Sequence, residues 1–530
     1  MMGGPTLGSP MRSSEDIPVQ SAVSSVTRTT GTPPESALVE TCLDLLDRAR
    51  RLPLDDEGRR LLEKAAGAFV RDGRHRRRAA DRAARAAADA RLLAATATGA
   101  ADRTMDAPLP AAPANAAGPA LTVGAYIGRQ GPHTDAAPPQ PSSGGEPPQL
   151  LHRPQRCYVC KDHYRRVHHF YHRLCPRCAE DNFARRTAGT DLTGRRALLT
   201  GGRVKIGFQA ALMLLRDGAE LTVTTRFPRD AVRRFAAAPG AAGWWPRLEI
   251  AALDLRDPRQ VLAFTGRLLA QGRPLDILVN NAAQTLRRSP QAYSALAAAE
   301  EAAEEAADGQ ALPAARIWSA PGFLPPGHRA EPPPWTRELL AASGAPLPAP
   351  APAARPPAEV DESGLLTDTA AVNSWTLRLG DVDPVEMLEV QLVNNVAPFL
   401  LADRLLPLLE ASPHPHRYLV NVSAVEGRFT VRNKTGDHPH TNMAKAALNM
   451  LTRTSAADLA ARGIHACSVD TGWVTDEKPL PARERHAATG WRPPLDVVDG
   501  AARIYHPIVQ GQSGTPIHGV LLKDYRHVPW

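Results

Sequence analysis

Two pairs of cysteines carry the most specific chemical signal in this sequence. Residues 157–178 read CYVCKDHYRRVHHFYHRLCPRC, in which fourteen residues separate one CxxC pair from the next. Each pair can place two thiolates on one side of a tight turn, and two facing turns complete a tetrahedral four-sulfur site. The spacing is typical of a zinc ribbon. We therefore expect structural zinc, with no open position for a substrate, bound by Cys157, Cys160, Cys175 and Cys178.

A glycine-rich turn between a strand and a helix is the second chemical feature. Residues 196–218 read RALLTGGRVKIGFQAALMLLRDG, an apolar run followed by three glycines and then apolar residues at helical spacing. Glycines at such a turn let backbone N–H groups and a helix N-terminus approach a pyrophosphate. The predicted phosphate-binding residues are Thr200, Gly201, Gly202, Arg203, Ile206 and Gly207.

Three further apolar runs end in polar or small residues. Residues 220–225 end at Arg226, residues 248–253 lead into Asp254-Leu255, and residues 275–279 lead into the sequence NNAA at 280–283. The carboxyl ends of parallel strands meet at one edge of a sheet, which is where a dinucleotide binds. The pattern predicts a dinucleotide site at this edge.

These segments, in this order, resemble the short-chain dehydrogenase/reductase superfamily. The match rests on TGGRVKIG, DL and NNAA, and on VNNVAPF at 393–399, YLVNVSA at 418–424, TNMAK at 441–445 and DTGWVT at 470–475. The resemblance covers about 191–283 and 373–530. It implies a Rossmann-type α/β fold with a doubly wound parallel sheet, bound NAD(P)(H), and oxidoreduction of a small carbonyl or alcohol substrate.

The same resemblance assigns the cofactor contacts. Asp254 and Leu255 would lie at the adenine, Asn281 and Ala282 at the adenosine and ribose, and Thr475 at the nicotinamide carboxamide. An acidic residue after the second strand would bind the ribose 2′-hydroxyl, whereas an arginine accommodates a 2′-phosphate. The sequence has Arg226 there, with Arg203 in the loop, so NADP(H) is favoured over NAD(H).

The catalytic motif departs from the family pattern. The YxxxK motif reads Thr441 to Lys445, so a threonine stands where the family has its proton-transferring tyrosine. The lysine would hydrogen-bond the nicotinamide ribose, and Asn394 matches the asparagine that supports a proton-relay water. Ser423 lies one residue before the usual serine position, which Ala424 occupies.

Two functions remain open at this point. In the first, the chain is an NADP(H)-dependent oxidoreductase in which His438, His440 or a water held by Lys445 replaces the tyrosine as the proton donor. Histidine suits this role because it titrates near neutrality. In the second, the chain is a catalytically inactive NADP(H)-binding sensor or scaffold. The zinc module and a basic helical arm would then bind a protein or nucleic-acid partner.

Composition divides the chain into segments that must position these residues. We predict disorder at 1–35, a helical region at 36–105, a Pro/Ala/Gly linker at 106–150, a zinc-ribbon-like module at 151–190 and the Rossmann domain at 191–530. A third helix is expected at 74–95, beginning with the basic run RHRRR. An Ala- and Pro-rich insertion at about 286–372 is typical of a lid or a disordered connection.

Charge and hydropathy narrow the class of protein. The 530 residues carry a formal net charge of +8, which permits an anionic cofactor without establishing nucleic-acid binding. No run approaches the roughly eighteen apolar residues of a membrane span, and the N-terminus lacks a secretory core. Cysteines in CxxC pairs suit a reducing compartment. We expect a cytoplasmic protein without membrane contact, and family habit suggests a homo-oligomer.

Overall fold

The computed structural model describes residues 36–103, 150–305, 315–324, 335–336, 338, 360–361, 363–366, 369–431 and 434–530. The predictions of disorder at 1–35, of a linker over most of 106–150 and of Pro-rich chain within the insertion lie outside the described residues. The chain divides into two compact units, residues 1–83 and 84–530, and each is described by itself.

The first unit contains helix α1 (Ser36–Ala49) and most of helix α2 (Glu57–Ala94). The predicted separate helix at 74–95 is wrong, because α2 is one helix of 38 residues. Ala and Arg are strong helix formers, and Gly73 at the expected break costs only about 1 kcal/mol. The ion pair of Arg76 with Asp72, 2.7 Å, also bridges the expected break.

The second unit begins with the cysteine module. Strands β1 (Leu150–Arg156) and β2 (His163–Arg166) pair antiparallel, and helix α3 (Pro176–Arg186) begins within the second CxxC pair, with Cys175 at its N-cap and Cys178 in its first turn. The module has its own core, built on Leu151, Phe170, Tyr171 and Leu174. The end of α2 closes this core, since the Asp89 carboxylate accepts hydrogen bonds from two backbone N–H groups of β1.

A large sheet forms the centre of the second unit, and it confirms the predicted doubly wound α/β fold. Its strands in the described part of the chain are β3 (Arg196–Thr200), β4 (Glu220–Thr225), β5 (Leu248–Ala252), β6 (Ile277–Asn280), β7 (Arg316–Ser319), β8 (Arg417–Ser423), β9 (Ile464–Asp470), β10 (Leu521–Lys523) and β11 (Arg526–Val528). These nine strands are ordered β11-β10-β9-β8-β6-β3-β4-β5-β7, and all pairs are parallel except β10–β11.

Helices cover both faces of this sheet. They are α4 (Lys205–Arg216), α5 (Pro228–Ala236), α6 (Ala241–Trp244), α7 (Pro258–Gln271), α8 (Ser294–Glu305), α9 (Pro384–Gln391), α10 (Ala397–Glu410), α11 (Pro439–Ala461), α12 (Leu480–Ala488) and α13 (Val497–Gln512). One apolar core lies under α4 and α13, and a second lies under α7, α10 and α11. Two layers of helices therefore fix the loops at the carboxyl edge of the sheet.

The insertion contributes regular structure, which the interpretation as a lid or disordered connection did not predict. Its described residues include α8 and the edge strand β7, which pairs in parallel with β5. Trp318 of β7 packs on Phe264 of α7, with ring centroids 5.4 Å apart. This apolar contact and the hydrogen bonds to β5 hold a four-residue strand that its neighbours in sequence would not stabilise.

One helical stretch differs from the expectation that no apolar run approaches the length of a membrane span. Among the described residues, Pro384–Glu410 is long and apolar enough to span a membrane by length and composition, and 44% of its most apolar window is buried inside the protein. Core helices pass the same test, and α10 in this stretch packs against α7 and α11. We describe it as a core helix of the sheet's second face.

Candidate functional site

The predicted phosphate loop is built so tightly that only glycine fits at its centre. A Cβ atom on Gly207 would lie 2.1 Å from the carbonyl oxygen of Gly201 and 2.4 Å from Nδ2 of Asn281. That Nδ2 donates to the carbonyls of Thr200 (2.9 Å) and Gly201 (3.1 Å), and the Thr200 hydroxyl accepts from the N–H of Ala282 at 3.0 Å. Five predicted cofactor residues therefore meet at one point of the sheet edge.

Lys205 is the unusual residue of this loop. It occupies the position of the family's middle glycine and adopts φ = 54°, in the left-handed region that glycine favours. Helix α4 begins at Lys205, and its N-cap residue Val204 makes no side-chain capping hydrogen bond. The first N–H groups of an α-helix have no partner within the helix, and they form a favourable site for an anion.

Arg226, which follows β4, is the residue predicted to bind a 2′-phosphate. Its Nη2 donates to the hydroxyl of Tyr293 at 3.1 Å, and its guanidinium lies 5.1 Å from the centre of that ring. Tyr293 stacks on Phe227 with ring planes 12° apart. Tyr293 belongs to the insertion, so the insertion forms one wall of the predicted adenosine end.

Two predicted cofactor residues have protein partners at this end. Arg203 is buried, and its Nη1 donates to the Asp230 carboxylate at 2.5 Å and to the Ser363 carbonyl at 2.8 Å. Asp254 accepts from the Arg256 guanidinium at 2.6 Å. Burial alone would raise the pKa of Asp254, but Arg256 and Arg226 lower it, so its carboxylate stays charged. Contacts of Arg203 and Asp254 with a nucleotide stay predictions.

Lys445 lies buried on α11 at the end of β8. Its Nζ donates to the carbonyl of Val422 at 2.8 Å. Burial lowers the pKa of Lys445 to about 8, although the carboxylate of Glu426 opposes that shift. The lysine is therefore a cation near neutrality that loses its proton at mildly alkaline pH.

Asn394 lies in a π-helical turn, Leu392–Val396, between α9 and α10. Its side-chain oxygen accepts from the N–H of Gln284 at 2.7 Å, and its amide donates to the carbonyl of Gln284 at 3.0 Å. Single π turns inside helices are frequent at functional sites. The turn ties α10 to the segment that follows NNAA, and this pairing brings Asn394 to the sheet edge.

The two candidate hydroxyls are enclosed. Ser423 and Thr441 are 3% and 2% exposed, and neither Oγ has a hydrogen-bond partner among the described residues. Ala424, the next residue, is half-buried. Because successive side chains of an extended strand point to opposite sides, Ser423 and Ala424 face different surroundings. The structure therefore buries the serine hydroxyl and puts alanine at the family position.

The two candidate histidines contact residues other than Lys445. His440 is buried with its Nε2 3.3 Å from the Glu386 carboxylate of α9. His438 stacks on Trp375 with ring centroids 4.1 Å apart, and burial lowers its pKa. Neither contact tests a role in proton transfer, so both histidines stay candidates.

Sequence reasoning missed Glu426. It lies in a 3₁₀ turn, Val425–Gly427, that packs against α11 so closely that a Cβ on Gly427 would lie 2.6 Å from the carbonyl carbon of Lys445. Burial and the neighbouring Asp470 raise the pKa of Glu426. The signal available in the sequence was a carboxylate three residues after Ser423, outside any family motif.

Thr475 lies in the turn after β9, where its hydroxyl donates to the Glu477 carboxylate at 2.7 Å. Burial alone would raise the pKa of Glu477, but Lys205, this hydrogen bond and Arg288 outweigh burial and lower it. A small open cleft lies beside Glu477. Its lining includes Leu286, Arg288, Asn373, Asp476, Lys478, Pro479, Leu480 and Arg483.

The four predicted zinc ligands lie together. The sulfur atoms of Cys157, Cys160, Cys175 and Cys178 are all within 4.8 Å of one another, and those of Cys160 and Cys175 are 3.7 Å apart. A tetrahedron with zinc–sulfur bonds of about 2.3 Å requires sulfurs about 3.8 Å apart. The N–H of Cys175 also donates to the sulfur of Cys157 at 3.3 Å. The donor set and spacing fit zinc.

Comparisons with known proteins agree with this fold. A family model described as short chain dehydrogenase matches residues 195–306, and one described as Enoyl-(Acyl carrier protein) reductase matches residues 362–488. The protein called "Uncharacterized protein R665" of Acanthamoeba polyphaga mimivirus is 30% identical over 369 residues, which is 66% of this chain and 71% of that protein. Its similarity therefore extends well beyond either family model.

Other relatives match smaller parts. A "Probable oxidoreductase" of Streptomyces antibioticus is 47% identical over 95 residues, which is 17% of this chain and 30% of that protein. Among solved structures, the NADPH-bound carbonyl reductase from chicken fatty liver is 17% identical, with a TM-score of 0.38, over 64% of this chain and 100% of that chain. The bound NADPH is that of the chicken protein.

Proposed function

Because the chain belongs to the short-chain dehydrogenase/reductase superfamily, we propose that it is an NADP(H)-dependent oxidoreductase for a carbonyl or alcohol substrate, with a non-standard proton donor. The observation that carries this proposal is the packing of Gly207 against Gly201 and Asn281. A position that admits no side chain, near the start of a helix whose N-cap residue makes no capping hydrogen bond, fits a pyrophosphate.

The residues at the two ends of this site suit different parts of the cofactor. Arg226, oriented by Tyr293, would hold the 2′-phosphate that distinguishes NADPH from NADH. Lys445 would hydrogen-bond the nicotinamide ribose, and Thr475 the carboxamide. When bound, NADPH supplies the hydride that reduces a carbonyl.

The proton must come from a group other than a phenol. A threonine hydroxyl is a much weaker acid than tyrosine, and the positive charge of Lys445 is too small a correction to close that gap. Thr441 and Ser423 therefore serve in shaping the site.

We also propose that the four cysteines bind a structural zinc ion. They would occupy all four positions of a tetrahedral site, so the metal would organise the module without contacting a substrate. Metal removal is therefore expected to affect folding first.

Binding and turnover of NADPH test the proposed oxidoreductase. We expect calorimetry to detect NADPH binding more tightly than NADH, and we expect NADPH oxidation with at least one member of a panel of polar aldehydes and ketones. Lys445→Met should remove turnover. Arg453→Met, which removes an exposed cation from the same helix, should leave turnover unchanged.

The outcomes separate the candidate functions. Absence of NADPH and NADH binding would overturn the proposal. Binding without turnover on the whole panel would favour the inactive sensor or scaffold. Arg226→Ala should remove most of the preference for NADPH over NADH, and an unchanged preference would assign the 2′-phosphate to other residues.

A further inference from the structure

The cysteine module touches the turn that we assign to the nicotinamide end of the cofactor. Tyr158 stands between the thiol ligands Cys157 and Cys160, and its hydroxyl accepts a hydrogen bond from the N–H of Trp473 at 3.0 Å. Trp473 lies two residues before Thr475. A side chain within the first CxxC pair therefore holds the backbone of the turn that follows β9.

The ring of Tyr158 is fixed from two sides. The Nζ of Lys161 lies 4.9 Å from the ring centre, and the Nζ of Lys523 lies 5.5 Å from it. Backbone bonds hold the module end of the contact, since the N–H of Tyr158 donates to the carbonyl of Arg173 at 2.8 Å. The hydroxyl position therefore depends on the fold of the two cysteine turns.

The same turn has little freedom on its other side. Gly472 has φ = 80°, and a Cβ there would lie 2.6 Å from Leu495 and 3.5 Å from the Tyr158 hydroxyl. The N–H of Leu495 donates to the carbonyl of Trp473 at 3.3 Å. Apolar packing joins the two regions as well, because Val474, Leu495 and Ile206 belong to the core of the cysteine module.

We propose that Tyr158 is a positioning residue for the nicotinamide end of the NADP(H) site, through which the cysteine module holds the 471–475 turn in its binding conformation. This inference rests on the proposed function, since it requires that NADPH binds. It gives the cysteine module a specific role in the oxidoreductase: an ordered module orients Thr475, and a disordered module releases it.

A pair of ligands and a pair of variants test the proposal. NADPH reaches both ends of the site, whereas adenosine 2′,5′-bisphosphate lacks the nicotinamide end and is the internal reference. Tyr158→Phe should weaken NADPH binding by about two- to tenfold, the net value of one hydrogen bond, and leave the bisphosphate within about twofold of wild type. Calorimetry on the full-length chain measures both affinities.

Tyr164→Phe is the matched control. Its hydroxyl donates to the carbonyl of His172 at 2.7 Å, inside the cysteine module and away from the turn. We expect this variant to keep the wild-type ratio of the two affinities even if it lowers the melting temperature. Removing metal with a chelator should weaken NADPH binding in the wild type, and should weaken it less in Tyr158→Phe, because the two changes remove the same connection.

The outcomes distinguish the two proposals. If wild type binds NADPH and Tyr158→Phe keeps the wild-type ratio, the role of Tyr158 is overturned and the oxidoreductase stands. An equal loss of both ligands in Tyr158→Phe would also overturn it, since that result indicates general destabilisation. If wild type binds neither ligand, the proposed function itself fails.

Discussion

Lys445 is buried, and its burial opposes the positive charge of its ammonium group. Desolvation disfavours the charged form, which is why burial lowers the pKa of Lys445 to about 8 from its ordinary 10.5. An unfolded lysine keeps its proton to higher pH than the folded one. Between about pH 8 and 10.5 the unfolded state therefore binds more protons, and stability rises with pH across that window.

Lys445→Met should show how much the buried charge costs in stability, as measured by thermal unfolding at several pH values. We expect the variant to be more stable than wild type at pH 7, by up to roughly 3 kcal/mol, because methionine needs no desolvation of a charge. The difference should shrink between pH 8 and 10, as measured by thermal unfolding. Arg453→Met, on the exposed face of the same helix, should run parallel to wild type. Parallel curves for Lys445→Met would contradict the lowered pKa.

Glu426 is a half-buried carboxyl group whose charge acts on Lys445, and we predict that it donates the proton in place of a phenol. Among the other charged groups that act on Glu426, Asp470 raises its pKa, and Lys523 and Lys434 lower it. Burial is the largest effect, so the carboxyl keeps its proton to higher pH than an ordinary glutamate. A proton donor in carbonyl reduction must be protonated before the reaction.

Glu426→Gln should therefore change the pH profile of turnover. In wild type, kcat for carbonyl reduction should fall as the pH rises through the raised pKa of Glu426. The amide cannot donate this proton, so we expect kcat to drop about a hundredfold and this decline to disappear. Glu426→Asp, which keeps a carboxyl group, should retain a pH-dependent decline. An unaltered pH profile of kcat in Glu426→Gln would contradict this role of Glu426 and would favour His440 or a water held by Lys445 as the proton donor.

The sequence could not reveal such a residue because its position is a product of folding. Thr441, Lys445 and Asn394 stand at fixed places in motifs, so a single chain suffices to find them. Glu426 matters because Gly427 lets its turn approach α11, a contact between segments that nothing in the local sequence predicts. Likewise, Ser423 could be located in the sequence, but its buried hydroxyl became apparent only in the structure.

At the scale of elements, the phosphate loop and the turn after β9 share an electrostatic contact. Lys205 is a principal reason why the pKa of Glu477 is lowered, so the two side chains lie close enough to interact. A carboxylate there offsets a charge at the N-terminus of α4. It also opposes the approach of a pyrophosphate to the same place.

Glu477→Gln should therefore strengthen NADPH binding. We expect an increase of about threefold at low salt, shrinking as ionic strength screens the charges. Fluorescence titration of NADPH measures it, and Glu484→Gln, at an exposed position of α12, should leave the affinity unchanged. Weaker binding in Glu477→Gln would mean that the carboxylate is needed to orient Thr475 through their hydrogen bond.

The strands and helices differed in how clearly their own sequences predicted them. β3, β4 and β5 were evident because apolar runs end in polar residues, and the parallel order follows from the helices between them. β7 was not evident, since Arg316–Ser319 is short, lies in Ala- and Pro-rich sequence and depends on β5 for its hydrogen bonds. The break expected near Gly73 failed for a related reason, because local composition on both sides favours helix.

At the scale of the molecule, two additions reach the carboxyl edge of a parallel sheet. The insertion reaches the adenosine end through Tyr293, and the cysteine module reaches the opposite end through Tyr158. In each contact a tyrosine hydroxyl accepts a single hydrogen bond from a residue of the proposed site. The cofactor loops are therefore held by residues outside the family motifs, and Tyr158 also lies outside both segments that match the family models.

The metal of the cysteine module should be measurable in the intact protein. We expect one zinc ion per chain by atomic absorption, lost in Cys175→Ser. Cys42→Ser should retain the metal, because Cys42 is exposed and lies outside the four-sulfur cluster. Metal binding contributes directly to the folding free energy of such a site, so chelation should lower the melting temperature of wild type and leave that of Cys175→Ser unchanged. Full zinc retention in Cys175→Ser would contradict four-thiolate coordination, and a metal-free wild type with the same melting temperature would make the cluster a set of reduced thiols held by packing.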